Sequence, residues 1–145
     1  MLYVLLALLL LPLVRRKSGR EIRAILVIQT GKIGDFVCTT PLFSTLRKHY
    51  PNAYLAALVN TYNAPVLAGN PEIDEVFVYR KFKHATGGES RFAVWLETWR
   101  LLRRLRAKAF DLAILATPAY QPSALKFANW IKPGRIIAYG DAKAD

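Results

Sequence analysis

ILVIQTGKIGDFVCTTPLFSTLRKHY, residues 25–50, carries the decisive reading of this chain. Ala24 to Ile28 is a short apolar run rich in β-branched residues, which predicts a strand covered on both faces. Gly31 and Gly34 then punctuate a turn, because glycine permits positive φ and lets another molecule approach the backbone closely. After Phe36, the residues Val37, Leu42, Phe43, Leu46 and Tyr50 recur at helical spacing. Pro41 suits a first helical turn but not a helix interior, so the helix is expected to begin near Thr39 or Thr40. That leaves Asp35 in the loop just before it. A carboxylate is thereby expected at the carboxyl end of a strand, where open α/β sheets place their ligands.

The turn matches no known nucleotide loop. Only Lys32 and Ile33 separate its glycines, short of the P-loop spacing, and the third glycine of the dinucleotide fingerprint is missing. Two readings stand. The turn bends the chain and nothing more, or it presents Asp35 as a general base within hydrogen-bond reach of a substrate hydroxyl.

Strand and helix signals alternate through the rest of the chain. Tyr54 to Val59 predicts a second strand, and a helical stretch is expected from Asn60 through Leu67, ended by Gly69-Asn70-Pro71. Glu75 to Tyr79 predicts a third strand, followed by the polar loop RKFKHATGGESR, residues 80–91, whose Arg80, Lys81 and Lys83 are placed to meet anionic groups. Phe92 to Ala109 predicts a helix with Phe92, Trp95, Trp99, Leu102 and Leu105 as its buried stripe. Arg100, Arg103, Arg104 and Lys108 take much of the remainder, and Glu97 is expected to pair with Arg100. Asp111 to Ala116 predicts a fourth strand, Pro122 to Ile131 a short helix, and Arg135 to Tyr139 a fifth strand. The alternation implies an α/β domain, a mostly parallel Rossmann-like sheet with helices on both faces.

Met1 to Val14 is almost wholly apolar and is followed at once by Arg15, Arg16 and Lys17. Fourteen helical residues reach about 21 Å, short of a hydrocarbon core of about 30 Å. The expected organisation is an apolar membrane anchor over residues 1–14, a basic linker over 15–23, and the folded domain over 24–145. Arg15, Arg16, Lys17, Arg20 and Arg23 would lie against anionic headgroups, and if the apolar segment spans, this cationic flank keeps the domain cytoplasmic.

At 145 residues the chain is long enough for one domain with a real core. Its net charge of +11 favours an anionic partner: nucleic acid, an anionic membrane or a phosphorylated glycolipid. Nucleic acid rests on charge alone, with no RNA-binding or helix-turn-helix signature, and is not expected. The single cysteine, Cys38, excludes an internal disulfide and is expected to be a small packed residue. No metal cluster and no cofactor signature is visible.

Across these stretches the chain closely resembles the amino-terminal part of family 9 glycosyltransferases, the bacterial heptosyltransferases of lipopolysaccharide core assembly. Gly31, Ile33, Gly34, Asp35, Thr39, Thr40 and Pro41 match the family's opening pattern one for one. NPEIDEVFVY (70–79), FDLAIL (110–115) and, more weakly, RIIAYG (135–140) follow in the right order. The resemblance implies the amino-terminal, acceptor-binding half of a two-domain GT-B architecture, without its carboxyl-terminal donor domain. It also implies inverting transfer from a nucleotide-sugar, ADP-heptose-like, to an anionic glycolipid acceptor of the lipopolysaccharide-core kind. Asp35 falls on the family's general base, and Thr30, Gly31, Lys32, Ile33 and Gly34 on its acceptor-binding turn. The expected location is the cytoplasmic face of the bacterial inner membrane. The alternative is a truncated, non-catalytic domain that binds an anionic glycolipid or a membrane surface.

Overall fold

A computed structural model of the chain describes residues 21–80, 91–117 and 122–138. The expected amino-terminal anchor and the loop carrying Lys81 and Lys83 lie outside these residues.

The elements run β1 (Ala24–Gln29), α1 (Ile33–His49), β2 (Tyr54–Asn60), a single 3-10 turn (Ala64–Leu67), β3 (Glu75–Tyr79), α2 (Arg91–Ala107), β4 (Leu112–Leu115), α3 (Pro122–Ile131) and β5 (Arg135–Ala138). All pairings are parallel, in the order β3-β2-β1-β4-β5. The predicted Rossmann-like sheet is therefore present, with β1 at its centre.

Every residue of β1 is buried, as a strand covered on both faces requires. Its side chains alternate between two cores. Ala24, Leu26 and Ile28 join Ala56, Leu58, Ala113 and Leu115 beneath α2 and α3, supplied by Leu105, Ala124, Phe127, Ala128 and Ile131. Ile25 and Val27 join Leu55, Ala57, Val59, Leu112 and Ile114 beneath α1, supplied by Phe36, Leu42, Phe43 and Leu46.

Several local expectations are corrected. Helix α1 begins at Ile33 with Lys32 as its N-cap and carries Pro41 inside it, so Asp35 lies in the first turn rather than in a preceding loop. Proline at position 41 deletes only its own bond to Val37, whose carbonyl accepts the Thr40 hydroxyl at 2.8 Å instead. Asn60 ends β2, and the helical stretch after it shrinks to the 3-10 turn. Cys38 is exposed.

The expected stripe of α2 divides: Leu105 is buried and Leu102 packs against the core as expected, while the aromatic members face away from the sheet. Val94 and Leu105 are buried, whereas Phe92, Trp95 and Trp99 are 66%, 54% and 44% exposed. Spacing alone cannot tell which apolar face of a helix meets the sheet, and here the narrower aliphatic side does. Glu97 pairs with Arg80 across the β3–α2 connection, at 3.6 Å, rather than with Arg100.

Polar groups lock the amino edge of the sheet. Arg47 donates to the carbonyls of Pro51, Ala53 and Glu72 and pairs with Asp74 at 2.8 Å. The Asp74 carboxylate also accepts the Leu55 N–H at 2.7 Å. Burial raises the Asp74 carboxyl pKa, but the Leu55 N–H and the Arg47 guanidinium outweigh it and hold it below the ordinary value. Glu75 is held below its ordinary value by the Tyr54 hydroxyl and the Lys108 ammonium, with Arg104 adding to them.

Both carboxyls titrate lower in the folded chain than in the unfolded one. Their contribution to stability is complete above the unfolded values, about 4, and is lost as pH falls through the folded ones. The melting temperature is therefore expected to be nearly flat down to about pH 5 and to fall below it. Asp74→Asn should lower the neutral-pH melting temperature and flatten the acid slope; a mutant with an unchanged slope would refute this clamp. Separately, Ala109 sits at φ 49° just beyond α2, a conformation that disfavours any residue with a β-carbon. Ala109→Gly is expected to raise the urea-unfolding free energy by about 1 kcal/mol.

Candidate functional site

The chain leaves β1 for α1 on one face of the sheet, and leaves β4 for α3 on the other. Two neighbouring strands whose exits part in opposite directions leave a crevice at their carboxyl ends. The turn Thr30–Lys32 lies at that point.

Buried amides hold the turn. Gln29, fully buried, accepts the Gly31 N–H at 2.9 Å and donates to the Ala116 carbonyl at 2.5 Å, tying the exits of β1 and β4 together. Asn60 donates to the carbonyls of Thr30 and Gly31 at 3.2 and 3.0 Å, while its own carbonyl oxygen accepts the N–H groups of Tyr62 and Asn63. Asn63 donates to the Gly31 carbonyl at 3.3 Å. Its Oδ1 is buried with no hydrogen-bond partner among the described residues. Thr30 and Thr117 are buried at the same edge. Such a loop is preorganised, since any shift of Gly31 breaks bonds to two strands at once.

The expected site residues come together on this support. Lys32 is exposed and caps α1 without a side-chain hydrogen bond to the first turn. Ile33 is 54% exposed. Gly34 is helical, not left-handed, and a β-carbon built there would meet nothing within 4 Å. The fold itself therefore places no demand on glycine at 34; what it leaves is open space above the first turn. Asp35 is half-buried, one residue further on. Its backbone carbonyl accepts the Thr39 hydroxyl at 2.9 Å, while its carboxylate has no hydrogen-bond or ion-pair partner among the described residues. An aspartate in a first turn also suits the positive end of the helix dipole, so its position satisfies the helix and the crevice alike. Val37, Tyr62 and Val66 add exposed apolar surface on α1 and on the segment after β2.

The arrangement offers one carboxylate, one ammonium, a first turn without a side-chain cap and an apolar rim. It suits an oxygen-rich ligand with a hydroxyl to deprotonate. Among the described residues no group of three or more potential ligands could hold a metal ion, and no helix is long and apolar enough to cross a membrane. Gln29, Asn60 and Asn63 were missed from the sequence. The available signal was a polar residue ending each of two apolar strands, at Gln29 and Asn60.

No family model matches the chain. Over 92 residues it is 32% identical to lipopolysaccharide heptosyltransferase 3 of Escherichia coli K12, a match covering 63% of this chain and 25% of that protein. The chain thus spans about a quarter of the length of this curated relative. The glycosyl transferase family 9 structure from Veillonella parvula shares the fold with a TM-score of 0.65 at 23% identity, covering 81% of this chain and 32% of that one. Escherichia coli ADP-heptose lps heptosyltransferase II does so with a TM-score of 0.59 at 21% identity, over 79% and 30%. In sequence and in fold the chain is heptosyltransferase-like, resembling one region of the family 9 glycosyltransferases.

Proposed function

We propose that this domain is the acceptor half of an inverting, membrane-associated glycosyltransferase, with Asp35 as its general base. The observation that carries the reading is the half-buried Asp35 carboxylate, without a partner among the described residues, beside the open space over Gly34. The match to a heptosyltransferase supports a nucleotide-sugar donor of the ADP-heptose kind and an acceptor of the lipopolysaccharide-core kind.

In this mechanism the acceptor sugar enters over Gly34, its hydroxyl within hydrogen-bond reach of Asp35. The hydroxyl oxygen attacks the anomeric carbon from the face opposite the diphosphate, and Asp35 takes the proton as the new C–O bond forms. The bond to the diphosphate breaks, and that group leaves with the electron pair, so the anomeric configuration inverts. Thr30, Gly31 and Ile33 shape the acceptor pocket through the backbone that Gln29 and Asn60 hold in place. Lys32 neutralises an acceptor phosphate or carboxylate. The donor is held by the facing carboxyl-terminal domain of a GT-B architecture. Met1 to Val14, with the cations that follow, anchors the enzyme at the cytoplasmic face of the inner membrane.

In the transferase that this domain serves, Asp35→Asn is expected to lower kcat by about 10²- to 10⁴-fold with acceptor affinity intact. Retained turnover would remove Asp35 from the mechanism. Gly34→Ala separates folding from binding. It should leave the melting temperature equal or slightly higher, since alanine is the better helix former, while acceptor binding falls about tenfold as the methyl group fills the space the sugar needs. Unchanged acceptor affinity in that variant would mean that no ligand approaches over this turn.

A further inference from the structure

One surface is left unexplained by the fold and by the crevice: the solvent-facing side of α2. At about 100° per residue, Phe92, Trp95, Trp99, Arg103 and Arg106 fall within an arc of about 80°. That arc lies about 130° around the helix from the direction of Val94 and Leu105, which face the sheet. Three large aromatics on a surface helix leave a great deal of apolar area in water. Phe92 and Trp95 stack with centroids 6.0 Å apart, and the Arg103 guanidinium lies 4.8 Å over the Trp99 ring. The stripe is therefore aromatic along its first half and cationic along its second.

We infer that this face of α2 is a docking surface for an anionic lipid bilayer. Tryptophan and phenylalanine beside arginine, on one side of an amphipathic helix, are the chemistry of the headgroup boundary: the rings enter the interface while the guanidinium groups meet phosphates. The charge agrees, since the chain carries +11 overall and this arc holds no acidic residue. A protein partner of ordinary composition would face the same cations without a compensating field. Glu97, the single acidic residue of α2, lies outside the arc and pairs with Arg80.

The topology gives the surface a direction. Helix α2 starts beyond the carboxyl end of β3 and runs back to the amino end of β4, so Phe92 and Trp95 lie toward the same sheet edge as Asp35. Resting on the proposed acceptor site, this docking would bring that edge to the membrane, where a lipid-linked acceptor is held. Catalysis would then proceed at the interface without extraction of the lipid.

The chain's three tryptophans, Trp95, Trp99 and Trp130, make the test direct. Two variants of the whole chain are compared, Trp130→Phe and the double change Trp95→Phe with Trp99→Phe. Each is mixed with vesicles of phosphatidylcholine, with or without phosphatidylglycerol, whose acyl chains carry bromine as a fluorescence quencher. Trp95 and Trp99 are expected to be quenched at least about twice as strongly as Trp130, on anionic vesicles only. Charge reversal at Arg103→Glu and Arg106→Glu should abolish that quenching. All five substituted positions are exposed, so circular dichroism should show the fold unchanged.

Three results would overturn the inference. The chain does not bind anionic vesicles; it binds them with Trp95 and Trp99 unquenched, held by another segment; or sedimentation without lipid shows a dimer in which these tryptophans are already shielded. The assay contains neither donor nor acceptor, so its outcome is independent of whether Asp35 is the base.

Discussion

The two-sided burial of β1 is the constraint on which everything else depends. A strand covered on both faces has no polar face to offer water, so each of its side chains must be matched by an apolar layer above or below. Helix α1 supplies one layer; α2 and α3 supply the other. Because the chain goes to different faces after β1 and after β4, the connections leaving these two paired strands diverge and do not close over their carboxyl ends. The crevice is thus a by-product of satisfying the central strand. What the sequence adds is the set of residues placed there.

The two edges of the sheet use polarity differently. At the amino edge the carboxylates are engaged: Asp111 accepts the N–H groups of Arg23 and Ala24, Asp74 that of Leu55, and Glu75 the side chains of Tyr54, Arg104 and Lys108. At the carboxyl edge the buried polar groups are amides and hydroxyls, which fix backbone without introducing charge. Gln29, Asn60 and Asn63 hold the turn in this way, and Asp35 remains available to a ligand. A buried charge at this edge would require a partner of its own; neutral amides leave the field of the crevice to Asp35, Lys32 and the first turn of α1.

Charge carries the domain's relation to its surroundings. Near the carboxyl end of α2, Arg104 acts inward, on Glu75 and over the Phe77 ring, while Arg103 and Arg106 belong to the outward arc. A helix of this composition therefore does two jobs with one residue type, and the angle around its axis decides which arginine does which.

The alternation of strand and helix, the parallel sheet and the position of Asp35 after the first strand were legible in the sequence, because they follow from apolar periodicity, glycine spacing and local chemistry. The resemblance to family 9 glycosyltransferases was legible for the same reason: its motifs are local. The tertiary structure alone decided three things. It placed Asp35 within α1, because Pro41 deletes a single bond that Thr40 replaces, a compensation invisible to a rule about proline. It turned the aromatic side of α2 to solvent, because periodicity defines faces but not which of them the sheet covers. And it brought Gln29, Asn60 and Asn63 onto one turn, because parallel pairing aligns strand ends that lie about thirty residues apart.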